Sequence, residues 1–155
     1  MSKEKVLGVF TKPEHIEKLA SYLGKHGIKF IISTRKDDMY RKDFDIGISY
    51  CFPHIVDVKR DGRNWYNYHP APLPEYPSIT CIVSALNDKV LQYGVTLHRM
   101  SNKIDEGNIL SKKMFTLLSI PENANELGTI AHYHLFQMFK NTIHIILKGY
   151  YEEGV

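Results

Sequence analysis

Apolar residues fall in short runs separated by polar stretches, and the runs follow two periods. Val6–Phe10 is a continuous apolar run of strand length. Thr11-Lys12-Pro13-Glu14 then reads as a helix start, with Thr11 as cap, Glu14 three residues on, and Pro13 in the first turn. Ile16, Leu19, Ala20 and Leu23 recur at helical spacing, and Gly27 is suited to a left-handed stop. Ile28–Ile32 is a second strand. Strand, helix and strand in this rhythm predict a βαβ unit and a parallel sheet at this point.

Residues Thr34–Asp43 are charged and read as a solvated connection. Asp45–Tyr50 is a third strand, Asp61-Gly62 a turn, and Trp65–His69 a fourth strand that Pro70 ends. Pro70, Pro72, Pro74 and Pro77 impose an extended loop that lacks ladder donors. Ile79, Ile82, Val83 and Leu86 mark a helix closing near Asn87. Tyr93–Met100 alternates like a half-buried strand, and another strand lies within Ile109–Leu118. A long helix is predicted from Asn125 to Lys148, with Leu127, Ile130, Ala131, Leu135, Met138, Phe139, Ile146 and Leu147 inward and Gly149 as its stop.

Composition narrows the class. With 155 residues, 43% hydrophobic and 24% charged, the chain has the size and balance of one globular domain, expected over 1–155. No run approaches the roughly 18 apolar residues of a membrane span. The opening MSKEKVLGVF lacks the apolar stretch of a signal peptide. Two cysteines, Cys51 and Cys81, make no disulfide framework, so a reducing cytoplasm is the expected location. The net charge is +3, and the basic residues are scattered, so no nucleic-acid partner is expected.

Asn67-Tyr68-His69-Pro70-Ala71-Pro72-Leu73-Pro74 is the strongest local signal. Asn67 and His69 share one face of a strand at its carboxyl end, where open α/β sheets bind ligands. An asparagine N–H suits a developing oxyanion, and a histidine moves protons near neutral pH. A polar strand end with a capping histidine has the same pattern. Downstream, Lys103-Ile104-Asp105-Glu106-Gly107 is either a solvated turn or the carrier of a carboxylate that orients His69.

Other candidates are weaker. His132 and His134 lie two apart on a helix and point about 200° apart, so they do not share a metal. Cys51 and His54 supply too few ligands for structural zinc, and no metal site is expected. His98 faces away from Val95 and Leu97, towards either the cleft or solvent. Lys112-Lys113 suits a strand edge. Tyr150-Tyr151 suits either an apolar patch or a dimer partner, so a homodimer stays open.

NYHPAPLPEY, GVTLHRM and IDEGNIL, in this order and spacing, resemble the 10-formyltetrahydrofolate-dependent formyltransferases. That family includes methionyl-tRNA, glycinamide ribonucleotide and nucleotide-sugar N-formyltransferases. The resemblance is dense from about Asp45 to Leu110. It implies an α/β, Rossmann-like three-layer domain with a mostly parallel sheet and a shortened N-terminal half. It implies formyl transfer from 10-formyltetrahydrofolate to an amine, with Asn67, His69 and Asp105 catalytic. Tyr50, Phe52, His54 and Ile55, with Asp105, fall where the family holds the folate, and Pro70 and Tyr76 fall beside the acceptor.

Three departures shape the expected acceptor. Glu75-Tyr76-Pro77-Ser78 stands where the family's Leu-Pro segment usually continues into Arg-Gly. Phe10-Thr11-Lys12-Pro13 replaces the Gly-Ser-Asn phosphate loop of the glycinamide ribonucleotide enzymes. No C-terminal domain is evident to grip a tRNA or position a sugar nucleotide. HPAPLPEY is most similar to the nucleotide-sugar branch, which makes a nucleotide-linked amino sugar the expected acceptor. The alternatives are the glycinamide ribonucleotide or methionyl-tRNA type, and a folate-binding remnant without turnover.

Overall fold

The computed structural model describes residues 3–152. Six strands form one sheet in the order β2-β1-β3-β4-β5-β6: β1 (Leu7–Thr11), β2 (Phe30–Ser33), β3 (Ile46–Tyr50), β4 (Asn64–His69), β5 (Gln92–Arg99) and β6 (Ile109–Thr116). The pairings among β1 to β4 are parallel, whereas β4–β5 and β5–β6 are antiparallel. Helices α1 (Ile16–Lys25), α2 (Val58–Asp61), α3 (Cys81–Asn87) and α4 (Ala124–Leu147) complete the fold, which is α/β and Rossmann-like. No helix among the described residues is long and apolar enough to cross a membrane.

Alternation along each strand divides the core. Leu7, Val9, Ile46, Ile48, Tyr50, Tyr66, Tyr68, Tyr93, Val95 and Leu97 face one side, against Leu19 and Leu23 of α1, Ala85 of α3 and the apolar stripe of α4. The other face is thinly covered. Its cluster is Phe10, Met39, Phe44, Val56 and Trp65, backed by short segments instead of long helices. The three layers are therefore unequal. Gly47 is part of the reason: a Cβ there would lie 2.1 Å from the Trp65 ring, so only glycine lets the indole lie against β3.

Local structure departs from the sequence pattern in three places. Thr11 does not cap a helix. It ends β1, and its hydroxyl donates to the Tyr50 carbonyl across to β3 (2.8 Å), while a 3-10 turn, Pro13–His15, leads into α1. The expected solvated connection contains a 3-10 turn, Lys36–Tyr40, that buries Met39, so one apolar side chain in a charged run is enough to fasten it. The Asp61-Gly62 turn closes the short α2, with Asp57 accepting from the Arg60 N–H and Gly62 at φ 82°. The long helix appears as expected, capped by Asn123 and ended at Gly149 with φ 76°.

Candidate active site

Parallel β3 and β4 bring Tyr50 level with Tyr68, so the chain leaves both strands at the same edge of the sheet. The antiparallel β4–β5 pair sets Asn67 opposite His98 and His69 opposite Thr96, all four on the thinly covered face. Thr96 anchors the proline loop: its hydroxyl donates to the Ala71 carbonyl (2.8 Å) and accepts from the Leu73 N–H (3.1 Å). Lys112 also reaches the Leu73 carbonyl (2.7 Å). An extra residue on β6, Leu110, breaks the β5–β6 register beside His98.

Four side chains converge here. The Asn67 amide nitrogen lies 3.0 Å from His98 Nε2 and 3.3 Å from Asp105 Oδ1. Asp105 Oδ1 also lies 3.4 Å from His98 Nε2 and 3.8 Å from His69 Nδ1. Backbone carbonyls fix both imidazoles. His98 Nδ1 meets the Arg99 carbonyl at 3.0 Å, and a carbonyl only accepts, so Nδ1 carries the proton. In the neutral ring Nε2 is then the acceptor, and the Asn67 amide donates to it. By the same argument His69 Nε2 donates to the Tyr76 carbonyl (2.8 Å), which leaves Nδ1 as its basic nitrogen.

Asp105 is presented by a tight loop. Its backbone is left-handed (φ 52°), and its Oδ2 accepts from the N–H of Ser78 (2.6 Å), itself left-handed at φ 71°. Cys51, at φ 56°, is a third such residue on the same cavity. Strained non-glycine backbone gathers at functional sites. Gly107 is required two residues on, because a Cβ there would sit 1.4 Å from the Arg99 carbonyl oxygen.

Electrostatics follow from burial. His69 is only 6% exposed, and burial lowers its pKa below 6.5; the charge of Asp105 and the bond to Tyr76 oppose this without overcoming it. Burial alone would raise the Asp105 carboxyl, but the neighbouring His98 and His69 imidazoles and the Ser78 N–H hold it below the usual carboxylate range. At neutral pH the group is a carboxylate between imidazoles, with His69 Nδ1 free to take a proton.

The cluster opens on a cavity of about 320 Å³, within the usual size of small-molecule sites. Phe52, His54 and Ile55 line it, as do Pro70, Ile79 and Ile104. Two sequence-derived positions do not. Tyr50 points to the helical side, buried against Tyr68 and Phe139, because it shares the face of Ile46 and Ile48. Tyr76 turns its hydroxyl to Asp88 (2.6 Å) and offers the site its carbonyl instead. Ser78 and His98 belong to the cluster. Strand alternation could point to His98, but a backbone N–H donor leaves no trace in sequence.

A family model described as formyl transferase matches residues 56–133, half of the chain, and spans Asn67, His69, His98 and Asp105. The chain belongs to the formyl transferase family. A methionyl-tRNA formyltransferase from Borreliella afzelii (strain PKo) is 40% identical over 53 residues, 34% of this formyl transferase family member and 17% of the relative. Among solved structures, an N-formyltransferase from Helicobacter canadensis, in complex with folinic acid and dTDP-3-aminofucose, superposes with a TM-score of 0.77 at 20% identity, over 95% of this chain and 65% of that one. The phosphoribosylglycinamide formyltransferase of Streptococcus pneumoniae TIGR4 superposes with a TM-score of 0.72 at 18% identity, over 92% and 98%. At these identities the superpositions show a shared fold. The chain spans less than two thirds of the length of the methionyl-tRNA and Helicobacter relatives.

Proposed function

We propose that this chain, over residues 1–155, is a formyltransferase catalytic domain that moves a formyl group from 10-formyltetrahydrofolate to the primary amine of a small acceptor in the cytoplasm. The observation that carries the reading is the free Nδ1 of His69 beside Asp105, two residues along the strand from an asparagine amide. The cavity suits a flat heterocycle. Phe52, Ile55 and Ile104 offer apolar walls, and the adjoining loops offer backbone polar groups. The bound folate supplies a formyl group on nitrogen, whose carbonyl oxygen gains negative charge as the amine attacks.

Asn67 has two amide hydrogens. His98 holds one at 3.0 Å, and the longer 3.3 Å bond to Asp105 is the one that an entering carbonyl oxygen displaces. His69 Nδ1 accepts the proton that the attacking amine must lose, and Asp105 stabilises the imidazolium so formed. His69 then returns the proton to the departing folate nitrogen as its bond to the formyl carbon breaks. The products are a formamide and tetrahydrofolate, and no proton is left over.

For the acceptor we favour a nucleotide-linked amino sugar. Supporting this are the resemblance of the His69–Tyr76 segment to that branch and the dTDP-3-aminofucose in the Helicobacter canadensis complex. Lys12, on the cavity wall after β1, supplies a cation for an anionic acceptor. The test is to incubate the protein with 10-formyltetrahydrofolate and a panel of amines, including amino-sugar nucleotides, and to follow tetrahydrofolate release by absorbance. Turnover with one acceptor class is expected. Folate binding without turnover on any amine would identify a non-catalytic folate binder, and no folate binding would overturn the reading altogether.

A further inference from the structure

His15, Cys51 and His132 come from three separate elements: the turn before α1, the exit of β3, and α4. Each offers one ligand atom, and the three atoms lie within 4.8 Å of one another. Cys51 Sγ is 3.9 Å from His132 Nδ1, and the two imidazole centroids are 4.7 Å apart. His15 is only 4% exposed, yet its Nε2 has no hydrogen-bond partner. Buried polar atoms are nearly always paired, so an orphaned ring nitrogen beside a thiol and a second imidazole calls for an explanation. None of these groups has a part in the proton path through His69.

We propose that His15, Cys51 and His132 form a zinc site in the cavity wall, with a fourth position open to the cavity. Two imidazoles and a thiolate are a donor set that zinc favours. Tetrahedral zinc, with bonds of about 2.3 Å to sulfur and about 2.0–2.1 Å to nitrogen, sets its ligand atoms roughly 3.3–3.6 Å apart. Metal entry therefore draws the widest pair of ligand atoms together by up to about 1.5 Å and the Cys51–His132 pair by only about 0.3 Å. Cys51 and His132 also line the cavity, and Cys51 stands one strand over from His69, so the open position faces the ligand space. Three protein ligands and an open position is the arrangement of reactive zinc, whereas a purely structural site is closed.

The protonation states are compatible. Burial, then the charge of Lys18, lowers both imidazoles to about 4, so their lone pairs are free at neutral pH. Burial pushes the Cys51 thiol up to about 12, so metal entry must expel its proton: Zn²⁺ replaces one H⁺, and the two imidazoles lose none. Lys12 and Lys18 oppose a cation here. They favour an anionic fourth ligand, because zinc with one thiolate keeps a single positive charge. The ligands are invisible to sequence spacing, since no two of them lie within 30 residues of one another.

The inference does not depend on formyl transfer, and its test needs no folate. Chelator-treated protein is titrated with Co²⁺ and followed by absorbance, then Zn²⁺ is added to displace it. One equivalent with tetrahedral bands and a thiolate-to-cobalt charge-transfer band is expected. The charge-transfer band should vanish in Cys51→Ser and persist in Cys81→Ser, which alters the other cysteine. Zinc affinity, measured by competition with a chromophoric chelator, should fall in Cys51→Ser and His132→Gln by more than the 10–100-fold that loss of an outer-shell partner costs. Zinc should also raise the melting temperature of wild type but not of Cys51→Ser. Cys51→Ser is nearly isosteric, so it decides the matter even where a histidine variant folds poorly. Absence of a thiolate band in wild type, or its survival in Cys51→Ser, overturns the proposal.

Discussion

Asn67 and His98 face each other across the antiparallel β4–β5 pair, and the asparagine amide is tied to the imidazole at 3.0 Å. Because His98 is in turn locked to the Arg99 carbonyl, the amide is aimed by a chain of two hydrogen bonds that ends in the sheet. His98 is thus a positioning residue. Replacing Asn67 by Ala should cost roughly 10²–10³-fold in kcat if its N–H meets the forming oxyanion. His98→Phe should cost about 10²-fold through misplacement of that amide. Its imidazole-free site should still show an acid limb in the pH profile, since His69 is retained. Loss of the limb in His98→Phe would assign His98 to the proton path instead.

His69→Asn should lower turnover by roughly 10²–10⁴-fold while reduced-folate affinity, measured by calorimetry, stays near wild type. Loss of folate binding in this variant would mark His69 as a scaffold for the cavity.

The titration of His69 separates burial from charge. Burial depresses its pKa, so the neutral, basic form persists to lower pH than in a free histidine, and activity should be flat from pH 7 to 8. It should fall on the acid side with an apparent pKa below 6.5. Asp105 opposes that depression. Asp105→Asn should therefore lower the His69 pKa further, as read by NMR of the imidazole nitrogens. An unchanged His69 pKa on removing the carboxylate would mean that the two groups do not interact. Residues acting as a unit lose activity non-additively, so Asp105→Asn combined with His69→Asn should be hardly slower than the worse single variant.

Gly107→Ala should be among the costliest single-methyl changes in the chain. The added Cβ meets the Arg99 carbonyl oxygen at 1.4 Å, and the loop must lift off β5 to make room. Overpacking of this kind destabilises by roughly 1–3 kcal/mol. Lifting the loop also carries Asp105 away from His69. Both a lower melting temperature and a loss of turnover are expected. A variant that kept full activity would show that the loop need not touch the strand.

Much of this was open to inspection in the chain itself. Continuous apolar runs marked the buried parallel strands, and period-two alternation put Asn67 and His69 on one face. Alternation also excluded one side of the sheet for His98, but whether the other side was wet depended on Asp105 arriving from a distant loop. Tyr50 shows the opposite failure. Its place in a resemblance suggested the cavity, whereas its parity with Ile46 and Ile48 sends it to the core. Thr11 fits a helix cap by its local sequence, yet a partner strand 39 residues away claims its hydroxyl. Local rules yield wherever a long-range hydrogen bond offers the same group a buried partner.

The left-handed backbone at Asp105 and Ser78 has an evolutionary corollary. Glycine would occupy either position with less strain, and asparagine is better tolerated there than most residues. A population of variants chosen only for resistance to heat should therefore accumulate Gly or Asn at these two positions and lose the carboxylate or its neighbour along the way. A population chosen for turnover should hold Asp105 against that drift. Sequencing the two pools after selection would turn a pair of dihedral angles into a readout of what the chain is for.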